Sequence, residues 1–184
     1  QAIIRTVECR DNHTAQHQKR VAQLACAIAT ETGFTPEQIQ VVRIAGLLHD
    51  IGKLSLPQDL LNRPGRVTEA EFQLIKTHSQ TAYDILKPIE FPWPIADIII
   101  QHHERMDGSG YPDGLKGDEI LLEARILAVA DVVEALSSHR PYRPALGLDK
   151  ALKEIVNNKG ILYDPSVVEA CMRVFNSGVF KFDD

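Results

Sequence analysis

The chain has 184 residues, of which 44% are hydrophobic but only 6% aromatic, and it carries a net charge of −5 at pH 7. That length suits one domain with a full core and is too short for two comfortable ones. The charge argues against a broad basic surface for duplex nucleic acid, yet it allows a small phosphate ligand, because bound metal ions would reverse the local field. No signal peptide opens the chain, and no apolar run approaches the ~20 residues of a membrane span. Cys9, Cys26 and Cys171 are odd in number, far apart and form no CxxC. They are expected to be reduced and mostly buried, which points to a cytoplasmic setting. Apolar positions are mostly Ile, Leu, Val and Ala, a composition that favours packed helices.

Taken in order, residues 1–10 read as the tail end of a helix, punctuated by Asp11 and Asn12. Because that helix starts at Gln1 and not at Met, the chain is expected to be cut from a longer protein with an upstream regulatory domain. Over 14–32, Val21, Leu24, Ala25, Ile28 and Ala29 recur at helical spacing, and Gly33 stops the run. Thr35-Pro36-Glu37-Gln38 is a helix start with cap, proline and Gln in place. That helix delivers His49-Asp50. Pro57, Pro64 and Gly65 make 55–67 a loop or a short helix. Thr68-Glu69-Ala70-Glu71 is a capping box that opens a helix through His78 to Leu86. After Pro88, Pro92 and Pro94, residues 95–103 are expected to be helical and to lead to His102-His103. A glycine-rich loop over 104–121 follows, then helices over 123–138, 149–157 and 165–176, the last capped by Asp164-Pro165. No segment alternates at period two, so the domain is expected to be all-α, one helical domain over 1–184.

Adjacent imidazoles need a reason, and neutral imidazole is the commonest nitrogen ligand of transition metals. Taken singly, any of the seven histidines (His13, His17, His49, His78, His102, His103 and His139) reads as an ordinary core or surface imidazole. Most sit beside apolar helix-forming runs, and together with Asp50 and Asp131 they suggest a shared site. His13 and His17 share one helix face, and His49 and Lys53 another. Asp131 lies inside the apolar run 126–133, where an unpaired carboxylate would be costly and a metal would satisfy it. A set of His and carboxylate without thiolate suits Fe, Mn, Zn or Ni better than a closed structural zinc site. Such a site can hold two ions about 3.5–4 Å apart and serve in-line attack on a phosphodiester.

His49-Asp50-Ile51-Gly52-Lys53, then His102-His103-Glu104 and Asp107-Gly108-Ser109-Gly110-Tyr111-Pro112, closely resemble the HD-GYP family. These are bacterial all-helical phosphodiesterases of the HD superfamily, metal-dependent and acting on cyclic di-GMP. Further matching pieces are His17 with Arg20-Val21, Asn62-Arg63-Pro64-Gly65, Ile75-Lys76-x-His78, Glu123-Ala124-Arg125-Ile126, Ala130-Asp131 and Arg140-Pro141-Tyr142-Arg143. HD alone is a weak signal, whereas the ordered set is specific. The resemblance implies a metal site at the centre of the bundle, with His17, His49, Asp50 and Asp131 as core ligands. Asp50 would bridge two ions, and His78, His102 and His103 would add the second. Lys53 matches a lysine that meets the scissile phosphate or the attacking water. Tyr111 falls in the loop beside substrate, where it could instead simply pin the loop. Arg140 and Arg143 match basic residues that meet ligand phosphate or guanine, although Arg143 could equally be a surface ion pair. His139 reads as solvent-exposed.

One position departs from the family pattern. Where some members place a glutamate for a third metal and others a tyrosine, this chain has His13. His13, His103 and Glu134 could hold a third ion, while a dinuclear site is the simpler reading. The implied activity is hydrolysis of cyclic di-GMP, with linear pGpG as product or, after a second cleavage, GMP, and with a metal-bridging hydroxide as nucleophile. Iron or manganese would be the metal, with Zn, Ni and Mg as alternatives. The rival readings are a phosphodiesterase for another cyclic dinucleotide such as 3′3′-cGAMP, and a non-catalytic receptor or adaptor. By analogy, a GGDEF-type diguanylate cyclase domain could dock on the GYP loop, and the chain could form a homodimer.

Overall fold

The computed structural model describes residues 12–62, 65, 67–138 and 145–182, with all of their side chains except those of Asn12, His13 and Asn62. Among them are eight α-helices: α1 (Asn12–Glu31), α2 (Pro36–Leu48), α3 (Gln58–Asn62), α4 (Glu69–Leu86), α5 (Ile95–Ile100), α6 (Leu122–Ser137), α7 (Leu148–Asn157) and α8 (Pro165–Asn176). Two 3₁₀ turns, Ile51–Ser55 and Gly117–Glu119, join them. The described residues contain no strand, only one isolated bridge between Lys159 and Tyr163, so the all-α expectation holds.

The helix starts are set locally. Thr35 and Gln38 close a reciprocal capping box on α2, and Thr68 and Glu71 do the same on α4. Asp164 accepts from the Ser166 and Val167 amides at the head of α8, with Pro165 in the first turn. Each cap satisfies amides that have no partner within the helix, a contribution of about 1 kcal/mol.

Helix α6 is the axis of the bundle. Ala124, Ile126, Leu127, Ala128, Val129, Ala130 and Val133 are all buried, and the helix packs against α1, α2, α5, α7 and α8. Its alanines bring the neighbours close. On the opposite side of α1, Gly46 of α2 lies so near Ala22 that an added Cβ would sit 2.8 Å from the Ala22 Cα. Free Cys171 is buried in this core and free Cys26 is half-buried, whereas Cys9 lies outside the described residues.

Two boundaries differ from expectation. Helix α5 stops at Ile100, so His102 and His103 sit in the following turn and not on a helix. The Gln101 amide oxygen accepts from the Leu121 N–H at 2.8 Å, and its carbonyl accepts from the Glu104 N–H at 2.9 Å. These bonds turn the chain toward α6 where local sequence would have continued the helix. Segment 55–67 contains the short helix α3, one of the two outcomes expected for it.

The 3₁₀ turn Ile51–Ser55 rests directly on the backbone of α4. A methyl group on Gly52 would lie 1.9 Å from the His78 carbonyl oxygen and 2.8 Å from the Ala82 nitrogen. Gly52→Ala must therefore push this turn off α4. The expected cost is about 2–3 kcal/mol in urea-induced unfolding. A shift below about 0.5 kcal/mol, the range of neutral surface changes, would show that the turn is free to move.

Candidate metal centre

Five imidazoles and two carboxylates meet where α1, α2, α4, α5 and α6 converge. His17 projects from α1, His78 from α4 and Asp131 from α6. His49 is the C-cap of α2, and Asp50 is the residue before the 3₁₀ turn that carries Lys53. His102 and His103 follow α5. The rings form a continuous edge-to-face array, with centroids 5.3 Å apart for His17–His49, 5.1 Å for His49–His102 and 5.0 Å for His78–His103.

Three of the rings have their tautomer fixed by a local backbone carbonyl. The Nδ1–H of His49 donates to the Gly46 carbonyl at 2.7 Å, that of His78 to Ile75 at 2.6 Å and that of His102 to Ile99 at 2.5 Å. All three bonds run back three residues, which leaves Nε2 of each ring with its lone pair facing inward. Those three Nε2 atoms are buried and have no hydrogen-bond partner. An unsatisfied buried polar atom costs about 1–3 kcal/mol, so three together call for a cation. His17 is oriented differently: its Nδ1–H donates to the Glu134 carboxylate at 2.5 Å, and its Nε2 lies 3.1 Å from Asp131 Oδ1 and 3.6 Å from Asp50 Oδ2. A carboxylate behind a histidine in this way fixes its ring and raises its basicity as a ligand.

Asp50 divides its two oxygens. Oδ2 lies 3.6 Å from both His17 Nε2 and His49 Nε2, while Oδ1 lies 3.6 Å from His78 Nε2. The ligand atoms of His17, His49 and Asp50 fall within 4.8 Å of one another, as do those of His78, His102 and His103. The arrangement can thus hold two cations on either side of one carboxylate. His49, Asp50, His78 and His102 are at most 2% exposed. Access is from the side of Lys53 and Asp131, whose side chains are 25% and 15% exposed. Lys53 Nζ there lies 2.7 Å from Asp50 Oδ2.

Charge in the site follows from burial. Desolvation, only partly offset by the nearby aspartates, holds His49, His78 and His103 below the ordinary imidazole value of 6.5 and brings His102 down to about 3. The rings are therefore neutral, as ligands must be. Burial opposes ionisation of Asp50, but the Lys53 ammonium 2.7 Å away works the other way, and the carboxyl is held well below its usual range. Asp131 too is held well below the usual carboxylate range although burial opposes its ionisation.

Glycine-rich segment 104–121 closes over this cluster. Sequence reasoning quoted Glu104 within the motif but assigned it no role. The Glu104 carboxylate is buried and accepts from the amides of Asp113, Gly114 and Leu115 at 2.8, 3.1 and 3.1 Å. Gly110 packs so tightly on the same turn that a Cβ would lie 2.4 Å from the Glu104 Cα. Together they place Tyr111 with its ring 4.7 Å from that of His103. Burial raises the Tyr111 pKa, so it stays a neutral phenol. The only signal in the sequence was the position of Glu104 beside the histidine pair; its partners are backbone amides, which no motif records. Arg140, Arg143 and His139 lie outside the described residues, as does the side chain of His13. Glu134 is placed against His17 and, at 3.8 Å, the Arg20 guanidinium.

A family model described as "HD domain" matches residues 1–167. The cyclic di-GMP phosphodiesterase response regulator RpfG of Xanthomonas campestris is 42% identical over 93% of this chain and 46% of its own length. The 3′3′-cGAMP-specific phosphodiesterase 3 of Vibrio cholerae is 37% identical over 95% of this chain and 38% of its own. Among solved structures, the HD-GYP-type protein Bd1817 of Bdellovibrio bacteriovorus superposes with a TM-score of 0.72 at 22% identity, covering 87% of this chain and 51% of that one. The chain belongs to the HD-domain family, in its HD-GYP branch. It spans less than half the length of the two curated relatives. No helix among the described residues is long and apolar enough to cross a membrane.

Two measurements test this geometry. In the unfolded chain the four imidazoles take up protons near pH 6.5, whereas in the folded chain they resist. The metal-free domain should therefore lose stability steadily as pH falls from about 7 toward 3, with Asp50 and Asp131 adding to the loss below their unfolded value of 3.8. A flat profile between pH 7 and 5 would contradict neutral buried rings. For the loop, Glu104→Ala should speed hydrogen exchange at the 113–115 amides by at least about tenfold, because each loses a charge-assisted bond of about 1.5–3 kcal/mol. Unchanged protection there would remove Glu104 as the anchor.

Proposed function

We propose that this domain hydrolyses cyclic di-GMP to linear pGpG, with GMP as the alternative end product, at a two-metal centre. The observation that carries the reading is Asp50, one oxygen facing His17 and His49 and the other facing His78. His17, His49 and Asp131 would hold one ion, and His78, His102 and His103 the other, with Asp50 shared. Thiolate-free ligation favours iron or manganese, with Zn, Ni and Mg as alternatives. Bound there, two divalent ions supply Lewis acidity toward the phosphoryl oxygens and lower the pKa of a water.

The rest falls to the chain itself. Lys53 keeps Asp50 in position and presents a fixed positive charge on the open side, where a phosphodiester must enter and negative charge develops. Glu104 holds the loop shut behind Tyr111, which keeps bulk water off the far side of the cluster. Glu134 sets the ring of His17; that task favours two ions over a third shared by His13, His103 and Glu134. Arg140 and Arg143 are proposed to meet substrate phosphate or guanine on the sequence match alone. Free Cys26 and Cys171 accord with a cytoplasmic setting, while a GGDEF-type partner on the loop and a homodimer rest on the resemblance.

A second reading has a specific observation behind it: a relative at 37% identity is named as specific for 3′3′-cGAMP. Both substrates should be offered to the domain after anaerobic loading with iron or manganese, with products separated by chromatography. Release of pGpG from cyclic di-GMP is the expected result, and Lys53→Ala should lower kcat/KM by about 10²-fold. Faster turnover of 3′3′-cGAMP would change the substrate and keep the chemistry. No cleavage of either by the metal-loaded domain would leave a binding module.

A further inference from the structure

Beside the mouth of the centre, on the outer face of α4, lies a pair of residues that the proposed mechanism does not use. Phe72 is 39% exposed, a high value for a large aromatic ring in a chain with few of them. It meets Tyr111 edge to face, with centroids 6.5 Å apart and planes at 84°. One turn further along α4, the Lys76 ammonium sits 4.8 Å above the Phe72 ring centroid and 5.3 Å from that of Tyr111. Among the described residues no carboxylate pairs with Lys76. The rings therefore run outward from the metal cluster, His103 to Tyr111 to Phe72, with a cation held across the outer two.

The cation–π contact steadies this arrangement and leaves both an aromatic face and a positive charge open to solvent. An exposed aromatic face gains little from water, and an ammonium over two rings with no carboxylate partner among the described residues keeps its charge available to an anion. A cyclic dinucleotide carries two flat bases and a second phosphate beside the one that is cut. Base stacking on an aromatic face needs no particular base edge, and an ammonium meets phosphate as a point charge. We infer that Phe72 and Lys76 form an outer substrate subsite: Phe72 carries one nucleobase, and Lys76 meets the phosphate that is not cleaved. The inference rests on the cyclic-dinucleotide reading above and adds two residues to it.

The test uses the metal-loaded domain and cyclic di-GMP. Phe72→Leu keeps apolar bulk but loses the aromatic face, and it should raise KM about tenfold with kcat within about twofold. Phe72→Trp should restore KM. Lys76→Met keeps the stem on the rings but removes the charge; it should raise KM and flatten the rise of KM with added salt. Equal KM values for wild type, Phe72→Leu and Phe72→Trp would overturn the stacking role. A fall in kcat at unchanged KM would do the same, as it marks a merely structural role. An unaltered salt dependence in Lys76→Met would overturn the charge role. A wild-type domain that turns over no cyclic dinucleotide would defeat the parent reading as well, an outcome distinct from active enzyme with indifferent variants.

Discussion

A single buried carboxylate sets the requirements that the rest of the structure meets. Asp50 is 2% exposed and stands between two groups of imidazoles whose inward nitrogens include three with no hydrogen-bond partner. Neutral rings can be buried at modest cost, but lone pairs directed at one another and at a carboxylate need a cation between them. Helix α6 brings Asp131 and Glu134 to the cluster, α1 brings His17, and the turn after α2 brings His49 and Asp50. The close approaches at Gly46 and Gly52 bring these backbones near enough to converge.

The helix ends do chemical work as well as structural work. Where a helix finishes, its last carbonyls lack internal partners. At His49 the Gly46 carbonyl accepts a ring N–H from three residues on, and at His102 the Ile99 carbonyl does so while also taking the His102 amide. In both, the ring bond selects the tautomer with Nε2 free. His78 uses this local bond within α4. His17 depends instead on a distant group, Glu134, brought to it by the packing of α1 on α6.

Much of this was legible in the sequence because the signals are local. The boxes at Thr35 and Thr68, the Asp164-Pro165 cap and the apolar run of α6 depend on residues within one or two turns. The histidine and aspartate set was legible through motif order, and the structure brings together His17, His49, Asp50, His78, His102, His103 and Asp131. What escaped depends on contacts far apart in the chain. Nothing around Ile98-Ile99-Ile100 forbids further helix; α5 ends where it does because Gln101 is tied to Leu121. Glu104 works through backbone amides nine to eleven residues away, which leave no trace in residue type. Phe72 and Lys76 look like any helix face until Tyr111 is folded back against them.

The central claim is that Asp50 couples two cations in one site, and metal stoichiometry addresses it most directly. Wild-type domain and Asp50→Ala would be loaded anaerobically with Mn(II), freed of excess metal and analysed for bound ions per chain. Two ions in the wild type and fewer than one in Asp50→Ala is the result expected of the proposed two-metal centre. Two ions retained without Asp50, or a single ion in the wild type, would contradict a shared carboxylate at the heart of the site.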